Sequence, residues 1–205
     1  MAINIEKRTV GMYQENAYVV GVPGRDDCVV IDPGDGHSDL LEAIGRRRVG
    51  AILLTHGHFD HTLAAQPLAE AFGAPVYVHE EELAMLNDTL LNAFDPTVVS
   101  MPMKKIEKPV LFGDSLSACG LEFEILHTPG HSMGSVCLYL PSDGVLFSGD
   151  TLFEAGYGRM DLYGGSVDEM IRSLKRLFEL PGETRVYPGH GGMTTIARER
   201  GRYRM

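Results

Sequence analysis

Three histidines and one aspartate lie within six positions of each other in His56-Gly57-His58-Phe59-Asp60-His61. Imidazole and carboxylate groups are the side chains that bind zinc and iron in proteins. The apolar run Ala51-Ile52-Leu53-Leu54 comes just before them and predicts a buried strand. A loop at the end of such a strand is a rigid place to hold ligands. The stretch therefore predicts a metal site, and a chance cluster of surface polar residues is the less favoured interpretation.

Three later positions repeat this design, in which a ligand-type side chain lies beside a glycine directly after a predicted strand. They are His131 in Pro129-Gly130-His131, Asp150 in Gly149-Asp150-Thr151, and His190 in Pro188-Gly189-His190. Glycine lets the backbone turn tightly at such points. Four strand ends of the same design favour one common metal centre much more than a single strand end would.

The elements that must position these side chains fall into two β-rich halves. In the first half we predict strands over 17–22, 28–31, 51–55 and 76–78, and helices that begin at the N-cap Ser38, over 62–72 and over 80–91. In the second half we predict strands over 110–112, 121–126, 136–140, 145–147 and 185–187, an amphipathic helix over 168–180, and a short helix at the end of the chain. Pro67 predicts a late start or a kink in the second helix, and residues 92–105 are predicted to be irregular.

Two sheets that face each other, with helices outside, would bury all of these apolar faces at once. We therefore predict a mixed α/β fold, a four-layer αββα sandwich, as a single domain over residues 1–205.

Composition and charge exclude several classes of function. With 18 basic and 28 acidic residues the net charge is −10, and an acidic surface repels phosphate, so we expect no nucleic-acid partner. No apolar run reaches the roughly 18 residues of a membrane span. The first eight residues carry charges and no apolar signal core, so we expect a cytoplasmic protein. The odd, widely spaced Cys28, Cys119 and Cys137 are interpreted as small buried hydrophobic residues.

At these residues the chain resembles the metallo-β-lactamase superfamily. Its signature Thr-His-x-His-x-Asp-His is matched by Thr55 to His61, and its downstream ligands by His131, Asp150 and His190. The resemblance implies an αββα sandwich with two metals at one sheet edge. By the family pattern, the first metal is held by His56, His58 and His131, the second by Asp60, His61 and His190, and Asp150 bridges the two.

Seven ligands with one shared give four protein contacts per metal and leave room for a bridging hydroxide. Two metals about 3.5 Å apart lower the pKa of water and polarise a carbonyl group. Asp60 has a second candidate role, to orient the hydroxide or accept its proton. We expect two divalent ions, with zinc favoured and iron or manganese as alternatives, because these ligands accept all three. His37, His79 and His127 are not expected to bind metal; His127 is a candidate to brace a ligand.

Two segments narrow the resemblance to one branch. Gly149-Asp150-Thr151-Leu152-Phe153 and the stretch 187–191 resemble glyoxalase II (hydroxyacylglutathione hydrolase), and 158–165 resembles short bacterial glyoxalase II-like proteins. The resemblance implies hydrolysis of a small-molecule thioester such as S-lactoylglutathione, with the bridging hydroxide as nucleophile. A thiol of pKa about 8.5–9 is a good leaving group.

Two departures leave the substrate open. Full-length glyoxalase II has a C-terminal helical domain that supplies basic residues for glutathione, and we expect none here because the sequence ends fifteen positions after His190. Arg159 and Asp161 replace a lysine and a tyrosine of the long enzymes. Arg159 is our candidate substrate-binding residue, since a guanidinium can bind a carboxylate of a glutathione conjugate in bidentate fashion. The alternative is that Arg159 and Asp161 pair with each other and shape the loop.

The competing hypothesis is an oxidoreductase. Persulfide dioxygenases resemble this chain in the His-x-His-x-Asp-His string and in a Gly-Arg-x-Asp segment, and they use one iron at positions matching His56, His131 and Asp150. The segments 151–153 and 162–165 favour the hydrolase. The oligomeric state is left open by the sequence.

Overall fold

The computed structural model describes residues 3–203, which form two six-stranded β-sheets. The strands of the first sheet lie in chain order: β1 (Asn4–Val10), β2 (Glu15–Gly21), β3 (Asp27–Ile31), β4 (Arg48–Leu53), β5 (Val76–Val78) and β6 (Val110–Leu111). The strands of the second sheet also lie in chain order: β7 (Ser115–Ala118), β8 (Leu121–His127), β9 (Val136–Leu140), β10 (Val145–Gly149), β11 (Arg185–Pro188) and β12 (Thr194–Thr195).

Six α-helices accompany the sheets. They are α1 (His37–Ile44), α2 (Phe59–Thr62), α3 (Ala65–Phe72), α4 (Leu83–Leu86), α5 (Val167–Leu177) and α6 (Ile196–Arg200), with 3₁₀ turns at Glu80–Glu82 and Pro141–Asp143. Among residues 3–203, no helix combines the length and the apolar character needed to cross a bilayer.

Three apolar cores separate four layers. One core packs α1 and α3 on the first sheet, with Leu40 and Leu68 against Ile52. A second core lies between the sheets, where Leu53 and Phe147 are buried. The third core packs α5 and α6 on the second sheet and includes Leu146, Leu174 and Ile196. Because strands β4 and β10 contribute side chains to both of their faces, they are apolar along most of their length. The predicted αββα sandwich is confirmed.

Most predicted elements are present near their predicted bounds. The hairpins between β2 and β3 and between β9 and β10 are antiparallel, as their turn sequences predicted. Cys28 and Cys137 are buried and Cys119 is partly buried, and all three are free thiols. The predicted break near Pro67 occurs: α2 ends at Thr62 and α3 begins at Ala65. Pro67 then lies in the first turn of α3, where its missing N–H has no helical partner to lose.

Three sequence-based predictions need correction. The helix over 80–91 is only a 3₁₀ turn followed by the four-residue α4, because the Asp88 carboxylate accepts the backbone N–H of Leu90 and Leu91 and holds a turn there. Ser38 is not an N-cap: α1 begins at His37 after Gly36, without a side-chain cap. The strands β1, β7 and β12 were not predicted. β1 carries three consecutive charged residues, Glu6, Lys7 and Arg8, at the sheet edge, and its apolar signal is therefore weak.

The start of β2 ties the first sheet to the loop that carries His190. Asn16 is buried, and its Nδ2 donates to the carbonyl oxygens of Pro188 and Gly191, each at 3.0 Å. Its backbone N–H donates to the Gly189 carbonyl at 2.7 Å, and the Tyr18 hydroxyl donates to the Pro188 carbonyl at 2.6 Å. The position of the His190 loop thus depends on a strand some 170 residues earlier in the chain.

Asn16→Ala should lower the free energy of unfolding by about 1–3 kcal/mol, because it removes the two hydrogen bonds that the buried Asn16 amide donates to the His190 loop. The measurement is urea denaturation of the metal-free protein. Asn4→Ala, at an exposed position on β1, is the matched control and should change stability by less than about 0.5 kcal/mol. Equal changes in the free energy of unfolding for the two substitutions would show that the Asn16 hydrogen bonds do not stabilise the His190 loop.

Candidate metal centre

The seven side chains that the sequence singled out come together beyond the ends of four strands. His56 and His58 follow β4, and Asp60 and His61 lie in α2, which comes directly after them. The other three, His131, Asp150 and His190, follow β8, β10 and β11. The two sheets contribute to the same site, so neither sheet alone contains a complete set of donors.

The donor atoms fall into two groups. One ligand atom from each of His56, His58 and His131 lies within 4.8 Å of the other two, and the same holds for Asp60, His61 and His190. Asp150 lies between the groups: its Oδ2 is 3.5 Å from His131 Nε2 and 3.6 Å from His190 Nε2. This division matches the two ligand sets implied by the family pattern.

Hydrogen bonds behind the site orient four of the imidazoles. Each Nδ1 contacts an oxygen on the outer side: Thr55 Oγ1 at 3.0 Å for His56, Asp32 Oδ2 at 3.1 Å for His61, the Arg159 carbonyl at 2.7 Å for His131, and the Tyr13 carbonyl at 3.1 Å for His190. In a neutral imidazole, an Nδ1 that donates to one of these oxygens carries the proton and leaves the lone pair on Nε2. Such lone pairs, pointing inward, are what a metal ion requires.

Buried polar atoms without partners support the same interpretation. His56 Nε2, His58 Nε2 and Asp150 Oδ1 are inaccessible to solvent and make no hydrogen bond. A buried polar atom that stays unpaired costs about 1–3 kcal/mol, and proteins rarely keep several in one place without a ligand. The donor set therefore fits divalent cations that accept nitrogen and oxygen ligands.

Close backbone approach explains two of the glycines. A Cβ on Gly189 would lie 2.2 Å from Asp150 Oδ1, and a Cβ on Gly158 would lie 2.8 Å from His131 Nδ1. Both distances are far below a van der Waals contact, so a side chain at either position would displace a donor. The glycines beside the ligands are therefore needed for space as well as for turning.

Asp32 is a functional residue that sequence reasoning missed. It is buried at the end of β3, where its Oδ1 accepts the Thr55 N–H at 2.7 Å and its Oδ2 accepts from the Thr55 hydroxyl at 2.6 Å and from His61. Its φ of 45° is unusual for a residue other than glycine. In the sequence, the only signal of this role was the Asp-Pro-Gly segment that ends an apolar strand. Asp32 therefore fixes the position of Thr55, where the histidine stretch begins, and the orientation of the His61 ring.

Glu82 is a second missed residue, and it joins the two loops that carry the first group. Its Oε2 accepts the Gly57 N–H at 2.7 Å, and its Oε1 accepts the Gly134 N–H at 2.7 Å. The Glu82 side chain is buried. Burial raises the pKa of its carboxyl group, and these hydrogen bonds only partly offset the rise. Since Gly57 separates His56 from His58, Glu82 sets the distance between those ligands and the loop of His131.

A family model for the metallo-β-lactamase superfamily matches residues 10–190, a span that includes all seven donors. The chain belongs to the metallo-β-lactamase superfamily. Among its relatives, an uncharacterized protein of Mycobacterium leprae is 40% identical over 93% of this chain and 92% of its own length. A probable metallo-hydrolase of Bacillus subtilis is 37% identical over 93% of this chain and 91% of its own. A hydroxyacylglutathione hydrolase of Methylobacillus flagellatus is 38% identical over 86% of this chain and 62% of its own length.

Solved structures of the superfamily superpose closely on this chain. The BLEG-1 B3 metallo-β-lactamase has a TM-score of 0.86 at 36% identity, with 97% of each chain covered. TTHA1623, crystallised in a di-iron-bound form, has a TM-score of 0.83 at 40% identity, over 95% of this chain and 96% of its own. ETHE1 from Myxococcus xanthus has a TM-score of 0.74 at 28% identity, over 96% of this chain and 81% of its own.

In this superfamily member the two ligand groups differ in charge. Burial lowers the pKa of His56 well below its ordinary value, and burial together with the charge of His131 lowers the pKa of His58 to about 3. Burial also disfavours the protonated form of His61. The carboxylates of Asp150 and Asp60 outweigh the effect of burial and raise the His61 pKa well above its ordinary value. His56 and His58 are thus neutral, while the second group is a network of ion pairs.

Glu15 is a further buried carboxylate beside the second group. Its Oε1 lies 3.8 Å from His61 Nδ1, and neither of its oxygens has a hydrogen-bond partner. Burial raises the Glu15 pKa well above its ordinary value, and the charge of His61 only partly counteracts this. The raised pKa favours the protonated form of the Glu15 carboxyl group.

A cavity of about 270 Å³ opens over the donors. Its walls include the apolar side chains Tyr13, Phe59, Phe153 and Leu162. Arg159 also lines it, and its Nε and Nη2 each lie 2.7 Å from an oxygen of the Asp161 carboxylate. The pairing of Arg159 with Asp161 is therefore present at the edge of the cavity. The role of Arg159 in substrate binding stays a prediction.

Zinc binding to the metal-free protein at pH 7 should release protons, because His61 has a raised pKa and must lose its proton to become a ligand. Calorimetric titration in two buffers of different ionisation enthalpy measures this number. We expect His61→Gln to release about one proton fewer per chain than the unsubstituted protein. Identical release by both proteins would contradict a protonated His61.

Glu82→Gln should lower the free energy of unfolding of the metal-free protein by about 1.5–3 kcal/mol, because an amide offers only one acceptor to the two backbone N–H groups. Glu81→Gln, at the neighbouring exposed position, should change it by less than about 0.5 kcal/mol. Urea denaturation of both variants provides the comparison. Equal stability of the two variants would show that Glu82 does not hold the loops.

Proposed function

We propose that this chain is a metal-dependent hydrolase that cleaves a small-molecule thioester such as S-lactoylglutathione. The observation that carries the proposal is the pair of donor groups with Asp150 between them, since this arrangement suits two ions close together. The relatives named probable metallo-hydrolase and hydroxyacylglutathione hydrolase support hydrolysis in general and a thioester in particular.

In this proposal His56, His58 and His131 would hold one ion, and Asp60, His61 and His190 would hold the other. The Asp150 carboxylate, which lies between the two groups, would be shared by them. When bound, the two ions supply a water of lowered pKa and a positive charge that stabilises the developing oxyanion. Zinc is the metal we propose, and the di-iron form of TTHA1623 supports iron as the alternative.

The chain's own side chains position the reactants. Burial raises the pKa of Asp60, but the charge of His61 and the hydrogen bond from His190 outweigh burial and hold that pKa below its usual range. A carboxylate of low pKa is a weak base, so we assign Asp60 to orienting the attacking water instead of accepting its proton. Tyr13, Phe59 and Phe153 form an apolar wall against which the acyl group packs and from which bulk water is excluded.

The second candidate function is a persulfide dioxygenase with a single iron. The likeness to ETHE1 from Myxococcus xanthus, at 28% identity, and the resemblance of the ligand string to persulfide dioxygenases support it. The two candidates differ in their co-substrate: hydrolysis consumes water, whereas dioxygenation consumes molecular oxygen.

Incubation with S-lactoylglutathione under strictly anaerobic conditions separates the two functions. We expect release of free thiol and lactate at the same rate as in air, with no oxygen uptake at an electrode. Inactivity toward the thioester, together with oxygen consumption on addition of glutathione persulfide, would overturn the hydrolase proposal.

Arg159→Ala should raise KM for a glutathione thioester about tenfold, a loss of about 1.4 kcal/mol, while KM for a neutral N-acetylcysteamine thioester changes less than about twofold. Arg172→Ala is the matched control, since Arg172 forms a similarly exposed ion pair with Glu169 on α5. Steady-state kinetics with both thioesters measures the effect. Equal increases of KM for the two thioesters would leave Arg159 as a residue that only shapes the loop with Asp161.

A further inference from the structure

A second cluster of metal-type side chains lies outside the seven donors. His79 follows β5, Glu81 lies in the 3₁₀ turn Glu80–Glu82, and His127 is the last residue of β8. One ligand atom from each of the three lies within 4.8 Å of the other two. None of them belongs to the ligand sets of the family pattern, so the cluster has no assigned task.

The two imidazoles are held in place before any ligand arrives. Their rings stack with centroids 4.2 Å apart and planes 15° from parallel. His79 Nδ1 accepts the Glu81 N–H at 3.3 Å, and His127 Nε2 lies 2.9 Å from the Met133 carbonyl oxygen. Because the rings are already ordered, a ligand that bridges them loses little side-chain entropy on binding.

A carboxylate completes the cluster and keeps it open to solvent. Glu81 Oε2 lies 3.3 Å from His127 Nε2, and the two side chains are 50% and 38% exposed. The Met133 carbonyl adds a further oxygen at the same edge of the His127 ring. Two imidazoles and a carboxylate whose ligand atoms lie within 4.8 Å of one another are an ordinary donor set for a borderline metal ion.

The electrostatics favour a cation at this point. Burial and the neighbouring His127 lower the pKa of His79, whereas the charges of Glu81 and Glu80 raise it to a smaller extent. His79 is therefore neutral at pH 7, and the lone pair on its Nδ1 accepts the Glu81 N–H. The acidic turn beside it supplies the negative potential that attracts divalent cations.

We propose that His79, Glu81 and His127 bind a divalent cation of the zinc class, separate from the candidate metal centre. Imidazole ligands select zinc and its neighbours over magnesium or calcium, which prefer oxygen. Binding displaces the proton that His127 Nε2 donates to the Met133 carbonyl, and this proton passes to solvent.

This site lies next to the loops that carry the first ligand group. Glu81 precedes Glu82 on the same turn, and Glu82 accepts the N–H groups of Gly57 and Gly134. A Cβ on Gly134 would lie 2.9 Å from His79 Nδ1, so the His131 loop packs directly against this cluster. An ion that fixes the turn therefore also restricts the two loops that carry the first ligand group.

The test counts zinc by difference, so it does not depend on how many ions the candidate metal centre holds. The unsubstituted full chain, His127→Ala and His37→Ala are each dialysed against the same buffered zinc solution, and bound zinc is measured by elemental analysis. His37, at the start of α1, lies outside both clusters and is the matched control. We expect His127→Ala to hold about one zinc per chain fewer than the other two proteins.

A second variant guards against misfolding of His127→Ala. Glu81→Gln keeps the size of an exposed side chain and should raise the dissociation constant of the outer zinc at least about tenfold in a competition titration with a zinc chelator. Equal zinc content of the three dialysed proteins, or an unchanged dissociation constant in Glu81→Gln, would overturn the proposal. Neither outcome bears on thioester hydrolysis, which is measured separately.

Discussion

The arrangement depends on the hydrogen bonds that hold the outer nitrogens of the imidazoles. Thr55, Asp32 and the carbonyls of Tyr13 and Arg159 each contact one Nδ1, so that four Nε2 atoms face the same small volume. Rings of the site also contact each other, since His58 Nδ1 lies 2.8 Å from His131 Nε2 and His61 Nε2 lies 3.4 Å from His190 Nε2. The oxygen acceptors therefore fix the orientation of four closely packed rings.

The two packed sheets explain why the acceptors stay fixed. Each loop of the centre leaves the end of a strand that is buried on both faces or lies against a core, and cores of this density deform little. Asn16 and Tyr18 join the first sheet to the His190 loop, and Glu82 joins the loops of His58 and His131. Donors that are far apart in sequence thus behave as one rigid set, which is the condition for holding two ions close together.

The sequence allowed the fold and the seven donors to be predicted because both follow from local patterns. Apolar strand runs, turn residues and glycines beside ligands are all visible within a few positions of His56 or Asp150. Asp32, Glu15 and Glu82 were missed because their roles arise from contacts across 23 to 52 residues. The predicted helix over 80–91 was wrong for a similar reason: the Asp88 side chain competes for backbone N–H groups that a helix would use.

Anomalous X-ray diffraction from crystals of the protein with its native metals tests the central claim most directly. We expect two peaks per chain. One should lie among His56, His58 and His131, and the other among Asp60, His61 and His190. Asp150 should contact both ions. A single peak at the first group, with Asp60 and His61 unligated at full occupancy of that site, would contradict the two-ion account and favour one-metal oxygen chemistry.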